Sequence, residues 1–424
     1  MEQAQACACQ LYQPPLRGGF LLGASSVIHA VHSKNSCHKG RHNAAVSLRF
    51  SAMHAALQQI QARVSDAAAH HTALRIRGGG SKDFHALQLQ GDILDTRSLS
   101  GIVSYEPSEL VVTVRAGTSL AELEATLAEQ GQCLAFEPPH FATDAGDVAT
   151  VGGMVAAGWS GPSRASVGAV RDFVLGIEIL NGKAELLRFG GTVMKNVAGY
   201  DVSRLMAGSW GTLGLITEVS LKVLPVVPGE ATLRFDSISQ AEALQRLNEW
   251  GGQPLPLNAS CWMENAGVGT LYVRLRGAVA AVEAACRSMG GTRMVQSSAA
   301  QDWAACREQQ LPWFQQRAAH HALWRLSVPQ TAAVLPLPQG VAAPLVEWHG
   351  GLRWVQAPAE LGEALQQCAA AVGGSASLFR ADSASAISGK ALFEPQNPAM
   401  QRIHKQLQQA FDPLGIFNPG RAMA

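Results

Sequence analysis

Arg77-Gly78-Gly79-Gly80-Ser81-Lys82 directly follows the apolar run Thr72-Ala73-Leu74-Arg75-Ile76. Three consecutive glycines after a strand leave bare amide N–H groups that can turn toward one anion. Arg77 and Lys82 flank them with positive charge, and Ser81 adds a hydroxyl donor. In outline that is a diphosphate cradle. Glycine runs are also plain loops, so the stretch gains its meaning from two further blocks, Thr150-Val151-Gly152-Gly153 and Gly208-Ser209-Trp210-Gly211-Thr212-Leu213-Gly214.

A Rossmann site fits these blocks badly. Its fingerprint needs G-x-G-x-x-G between a strand and a long helix, with an acid about 20 positions later. After Gly80 the chain reads Lys82-Asp83-Phe84-His85 and then loop-like sequence without a helical period. Gly208, Gly211 and Gly214 have three-residue spacing, yet they precede a β-rich run from Leu215 to Val223. A diphosphate here is therefore expected to be gripped by loops.

At 424 residues the chain has room for two or three domains with sizeable cores. A net charge of +1, a charged fraction of 15% and the lack of a basic stripe argue against nucleic acid. No apolar run reaches the ~18 residues of a membrane helix. Cys7 and Cys9 form only C-x-C, and the other cysteines are scattered, so a reduced, cytoplasmic protein without a metal site is expected. Residues 1–52 carry five Lys/Arg, four His and a single acid, Glu2. A targeting peptide centred on Phe20–Val31 competes with a disordered or mis-called start. The second is favoured, because Met53 opens a clean helix with Leu57, Ile60, Val64 and Ala67/Ala68 at helical spacing.

Further along, Leu110–Val114 alternates as a strand and leads into Ser119-Leu120-Ala121-Glu122, a capping box. Leu120, Leu123 and Leu127 line one helix face, which Gly131 ends. Phe173–Leu180 with Asn181-Gly182 predicts a strand and tight hairpin turn. Pro225 and Pro228 mark a boundary. Beyond it, strands near 232–236, 260–263 and 271–275 alternate with helices over 241–250 and 279–289. A second round has strands near 323–328, 345–348 and 352–355, the helix 360–371 and the strand 377–380. Two βαββα-type units in tandem predict one sheet backed by helices, an α+β cap over 229–396. The last helix has Asn397 as cap, Pro398 at its first position and an apolar stripe of Met400, Ile403, Leu407 and Ala410/Phe411. In the turn-rich tail, Ile416-Phe417 want burial, so residues 397–424 are expected to dock back.

With the three glycine blocks, Met194-Lys195-Asn196-Val197-Ala198-Gly199-Tyr200-Asp201, Ser160-Gly161-Pro162, Val170-Arg171-Asp172-Phe173-Val174-Leu175-Gly176 and the Asn-Pro-Gly tail, the chain resembles the vanillyl-alcohol-oxidase/p-cresol-methylhydroxylase class of FAD proteins. Within that class it is similar to the FAD-binding E subunits of bacterial glycolate oxidase, over roughly residues 53–424. The resemblance implies a PCMH-type two-subdomain FAD-binding fold over 53–228 with the α/β cap behind it. It implies that Arg77, Gly78, Gly79, Gly80, Ser81 and Lys82 hold the FAD diphosphate. Pro139, Thr150, Gly152, Gly153, Ala156, Ser160, Gly161, Arg164, Gly168, Asp172 and Val174 would follow the flavin and ribityl chain. Gly211, Gly214, Ile216 and Thr217 would meet the adenine end, and Asn418 would reach in from the tail. Glycines permit close backbone approach to a flat ring, whose electronics amide N–H groups can tune.

Where relatives that tether FAD covalently carry a histidine, Ser81-Lys82 stand here, so the resemblance implies non-covalent FAD. His85 is expected to be a surface or capping residue. The family's activity implies oxidation of glycolate to glyoxylate, a hydride passing from Cα to flavin N5. Electrons would leave through an iron–sulfur subunit beside a paralogous FAD subunit, and any membrane association would run through these partners at the inner face of the cytoplasmic membrane. The histidine motif of catalytic 2-hydroxy-acid dehydrogenases is missing, which motivates an alternative, a flavin-binding assembly subunit whose paralogue does the chemistry. Lys195, Asn196 and Tyr200 are the candidates for the flavin edge or the substrate carboxylate. Arg164 and Arg171 are candidates for pairing with a carboxylate or the diphosphate. Asp201 caps a short helix, Trp210 packs, and His349-Gly350-Gly351 sits at a hairpin tip without a third metal ligand.

Overall fold

The computed structural model describes residues 54–85, 90–142, 146, 148–192, 201–381 and 397–421. A helix over 54–70 buries Ile60, Val64 and Ala67, the face its spacing predicts, against Leu74 and Leu94. The first strand, Leu74–Arg77, pairs in parallel with Asp92–Asp95, a segment whose sequence is loop-like. Asp92 and Asp95 interrupt its apolar content, and only Leu94 is buried.

Five antiparallel strands form the first large sheet, in the order Ile102–Glu106, Val111–Arg115, Leu215–Lys222, Val174–Leu180 and Leu186–Gly190. The central strands are buried along most of their length, on both faces. Leu120, Leu123 and Leu127 pack on this sheet with Met154 and Val155. Two local expectations need correction. Ser119 precedes the helix Leu120–Ala128 but makes no capping hydrogen bond with its side chain; the Leu120 amide is taken by Ala149 O at 2.8 Å instead. The connection after Leu180 runs over 181–185, because the Asn181 amide group binds Glu185 and holds a five-residue loop instead of a two-residue turn.

The second sheet has eight strands in the order Thr292–Arg293, Gly229–Asp236, Val268–Gly277, Leu257–Asn265, Leu345–Glu347, Leu352–Pro358, His321–Ser327 and Ser375–Arg380, with every pairing antiparallel. Helices Gln240–Gly251, Val279–Met289 and Gly362–Ala370 stand where their periodicity predicts. The helix Gln296–Arg307 went unread because its sequence, rich in Ala and Gln, buries only Ala299, Trp303 and Cys306.

Asn397 caps the last helix, Pro398–Phe411, by accepting from Ala399 N at 2.8 Å. Its apolar stripe is not buried, however: Met400 and Ile403 are exposed, and only Leu407 and Phe411 lean on the five-stranded core. The tail then meets the first strand. Leu74 N donates to Ile416 O at 2.7 Å, Asn418 N donates to Leu74 O at 2.8 Å, and Ile416 and Phe417 are buried.

Candidate functional site

The first strand delivers the triple glycine to one wall of a cleft. Arg77, Gly78, Gly79, Gly80, Ser81 and Lys82 face Thr150, Gly152, Gly153, Ala156, Gly211, Gly214, Ile216 and Asn418 across it. The second glycine block is not a loop, as its composition suggested, but the opening of the helix Val151–Ala157. Thr150 caps it by accepting from Gly153 N at 3.2 Å. Close approach explains why glycine stands in this wall. A Cβ on Gly79 would run into the Val148 carbonyl oxygen, one on Gly78 into the Thr150 hydroxyl, and one on Gly152 would sit 2.7 Å from Ala116 Cβ. Gly80, at φ +84°, occupies the left-handed region that glycine alone enters freely.

The charge of the cleft favours an anion. Arg77, Lys82 and Arg421 line it against one carboxylate, Asp83. Asp83 Oδ2 accepts from Arg75 at 2.5 Å and from Arg77 at 2.7 Å, and Arg421 lies 3.9 Å from its other oxygen. Burial pulls the Lys82 ammonium down to about 8 against the pull of Glu308, and Arg421 down to about 10 against that of Asp83. Both are still cations at neutral pH. In the third block the buried Ser209 hydroxyl has no partner among the described residues. A glycine-lined cradle with surplus positive charge fits a dinucleotide diphosphate.

Asn418 lines this cleft but is engaged at both ends of its side chain. Its Oδ1 accepts from Ile76 N at 2.7 Å and its Nδ2 donates to Trp210 O at 2.7 Å. It thereby clips the tail to the first strand and the third glycine block. His85 is neither a surface nor a capping residue. Its ring stacks on Trp210 at 4.8 Å, meets Trp159 edge-on at 4.8 Å, and has Nδ1 2.9 Å from Phe379 O. Burial in this cage lowers its pKa to about 4. Trp210 packs, as expected, with Arg421 4.8 Å over its ring.

Beyond the aromatic cage lies a second cleft. Pro139, Ser160, Gly161, Arg164 and Arg171 form one side, and Arg325, Glu347, Trp348, Trp354 and Gln309 form the other. Gly168, Asp172, Val174 and Thr217 stand in neither cleft wall. Asp172 Oδ2 accepts from Ala169 N at 2.8 Å, Gly168 ends the short helix Arg164–Val167 at φ +103°, and the buried Thr217 hydroxyl binds Glu178. Lys195, Asn196 and Tyr200 lie outside the described residues. Asp201 caps the helix Val202–Leu205, accepting from Arg204 N at 3.2 Å.

Sequence reasoning missed Glu137, Gln309, Arg325, Glu347 and Trp348. A faint signal existed for two of them, since Arg325 and Glu347 are lone charges inside otherwise apolar strands. Glu347 is buried with Oε1 accepting from Trp354 Nε1 at 3.0 Å. Burial pushes its carboxyl up to about 7, against the hydrogen bonds from Trp354 and Cys306 and the charge of Arg325. The folded state then binds an extra proton between the ordinary carboxylate range and about pH 7, so this group costs stability as pH rises through that window. Glu347→Gln keeps an acceptor for Trp354 without the charge. The variant is expected to match the parent in thermal unfolding at pH 5 and exceed it at pH 8, by up to roughly 3 kcal/mol. An identical difference at both pH values would contradict the raised carboxyl.

Comparison with known proteins follows the same outline. The family described as "FAD binding domain" matches residues 53–190. Glycolate oxidase subunit GlcE of Escherichia coli (strain K12) is 44% identical over 370 residues, which is 87% of this chain and 97% of that protein. Glycolate oxidase subunit GlcD of Bacillus subtilis (strain 168) is 31% identical over 34% of this chain and 29% of its own length. D-lactate dehydrogenase of Anaerostipes hadrus is 35% identical over 32% and 27%. This chain thus spans nearly all of the first relative and under a third of the other two. Among solved structures, an alkyldihydroxyacetonephosphate synthase shares the fold at TM-score 0.60 and 18% identity, over 86% of this chain and 74% of that one. The chain belongs to the glycolate oxidase E-subunit family of FAD-binding proteins.

Proposed function

We propose that this chain is the E-type FAD subunit of a glycolate-oxidising complex, binding FAD non-covalently in the glycine cleft. The observation that carries the reading is the convergence of three separated glycine blocks and the C-terminal tail on one positively charged groove. Bound FAD supplies the two-electron acceptor for oxidation of a 2-hydroxy acid. Arg77, Lys82 and Arg421 neutralise its diphosphate, Gly78 to Gly80 let the backbone approach, and the aromatic cage of His85, Trp159 and Trp210 keeps water from the inner end of the groove. Non-covalent binding is supported by Ser81-Lys82 in the first loop and by the caged His85, whose Nδ1 is engaged with Phe379 O. The name of the GlcD relative supports a paralogous partner in the same complex. An iron–sulfur subunit that takes the electrons completes the proposal. Five free cysteines among the described residues support a cytoplasmic location.

The purified chain is expected to show an oxidised-flavin spectrum, and acid precipitation should leave the colour in the supernatant. Colour that stays with the pellet would refute non-covalent binding. A colourless chain that cannot be reconstituted with FAD would refute the flavin reading itself. Rapid mixing with glycolate then tests the chemistry. Bleaching of the flavin band in the isolated chain assigns oxidation to this subunit, and bleaching in the reconstituted complex alone assigns it to the paralogue.

A further inference from the structure

The second cleft holds two guanidinium groups without a partner among the described residues. Arg164 and Arg325 stand 4.5 Å and 5.1 Å from the centre of one indole ring, that of Trp348. Neither side chain makes a hydrogen bond or ion pair to another described residue. A guanidinium carries five N–H donors, and both half-buried side chains line the cleft, where a ligand can take them. The two also repel each other, and the acid that faces Arg325, Glu347, is engaged by the Trp354 indole. In the same cleft Gln309 is 8% exposed, and its side-chain carbonyl is buried without a donor among the described residues.

The platform under the arginines is built, not incidental. Trp348, His349 and Gly350 have φ of 54°, 56° and 98°, and two successive non-glycine residues in the left-handed region are strained. Hydrogen bonds to both sides of the cleft hold this tip. The Trp348 indole N–H donates to Gly161 O at 3.0 Å, and the His349 ring sits between Ser166 Oγ at 3.0 Å and Ser260 Oγ at 3.1 Å. Strain kept in place this way clusters at ligand sites.

We propose that Arg164 and Arg325, mounted on Trp348, bind the carboxylate of a small 2-hydroxy acid while Gln309 accepts a hydrogen bond from its hydroxyl, an assignment that rests on the 2-hydroxy-acid reading above. Planar guanidiniums match the two oxygens of a carboxylate. The carbonyl of Gln309 asks for a donor, which glycolate has and acetate lacks. Arg164 then serves the substrate, and its place beside the flavin chain passes to Ser160 and Gly161.

Isothermal titration of the full flavin-loaded chain with glycolate, acetate and inorganic phosphate tests this. Glycolate is expected to bind at a single site and acetate about tenfold more weakly or worse. Arg164→Met and Arg325→Met should each weaken glycolate about tenfold or more without changing the flavin spectrum. Gln309→Leu should erase the preference for glycolate over acetate. Arg325 is half-buried, and Arg325→Lys, which keeps the charge, serves as its folded control and should recover part of the affinity. Unchanged affinity in Arg164→Met, phosphate binding as tightly as glycolate, or a preference for glycolate that survives Gln309→Leu would each overturn the assignment. The flavin reading fails separately. A colourless chain that still binds glycolate keeps this site and loses the cofactor, and a yellow chain that binds none loses this site alone.

Discussion

Gly79→Val is expected to purify largely without FAD, whereas Gly251→Val keeps it. The reason is geometric. A Cβ at Gly79 would collide with the carbonyl oxygen of Val148 and lie 2.7 Å and 2.9 Å from its carbonyl carbon and amide nitrogen. Backbone cannot rotate aside as a side-chain tip can, so the loop and the 148–150 segment must separate. Backbone torsion is not the cause at this position, since the positive φ belongs to Gly80. Spreading the two walls moves the amides and cations away from one bound anion together. Hydrogen bonds to a charged group are worth roughly 1.5–3 kcal/mol each. Loss of two is roughly a hundredfold or more in affinity, at about 1.4 kcal/mol per tenfold. Gly251 offers the contrast: it ends the helix Gln240–Gly251, and a Cβ there meets no heavy atom within 4 Å. The ratio of flavin to protein absorbance in the two purified variants decides the matter. Equal flavin occupancy would put the diphosphate in another loop.

Which parts of the molecule were legible in its sequence follows from how local each signal is. The glycine blocks announce themselves because each needs its residue type for a local reason, a close approach or a left-handed φ. The order in which Thr150, Gly211 and Asn418 meet around Gly79 is a tertiary fact, and only resemblance to other chains anticipated it. The helix Val279–Met289 was readable to the residue from its apolar period. The strand Asp92–Asp95 was not, since its single buried residue shows no period at all. The second cleft was hidden for a similar reason. Arg325 and Glu347 come from two strands and Gln309 from the turn after the helix Gln296–Arg307, and a lone charge in a strand does not say locally which residues it will meet. His85 was misjudged because a histidine after a lysine and an aspartate reads as surface, while Trp159, Trp210 and Phe379 arrive from far along the chain to cover it.

Removal of the Glu137 carboxylate is expected to loosen the eight-stranded sheet from the glycine-block half of the protein. Glu137 reaches from the segment after Phe136 into a cluster of cations on that sheet. Its Oε2 accepts from Arg274 at 2.6 Å, its Oε1 from Arg276 at 2.9 Å, and its second oxygen also takes the Ser163 amide at 3.2 Å. Arg274 is nearly inaccessible, 3% exposed, and also lies 4.9 Å over Trp303. Burial alone would raise the Glu137 pKa, but the two guanidiniums and the Ser163 amide outweigh it and hold the carboxyl below its ordinary range. A depressed carboxylate contributes stability that is complete above the ordinary pKa and lost as pH falls through the depressed one. Between pH 5 and 8 this clamp is therefore constant, opposite to Glu347, which weakens the fold as pH rises through the same interval. Glu137→Ala leaves the buried Arg274 guanidinium with Asn258 and the Arg276 guanidinium with Glu230 as remaining partners, and breaking a buried ion pair from one side costs about 3–5 kcal/mol. Replacing Glu137 by Leu together with Arg274→Met removes charge from both sides and is expected to recover much of that loss, because apolar packing can match a buried ion pair. Urea unfolding at pH 7 measures all three chains. If the double variant falls as far as Glu137→Ala, apolar packing does not replace this ion pair, and the charge pairing itself joins the two halves.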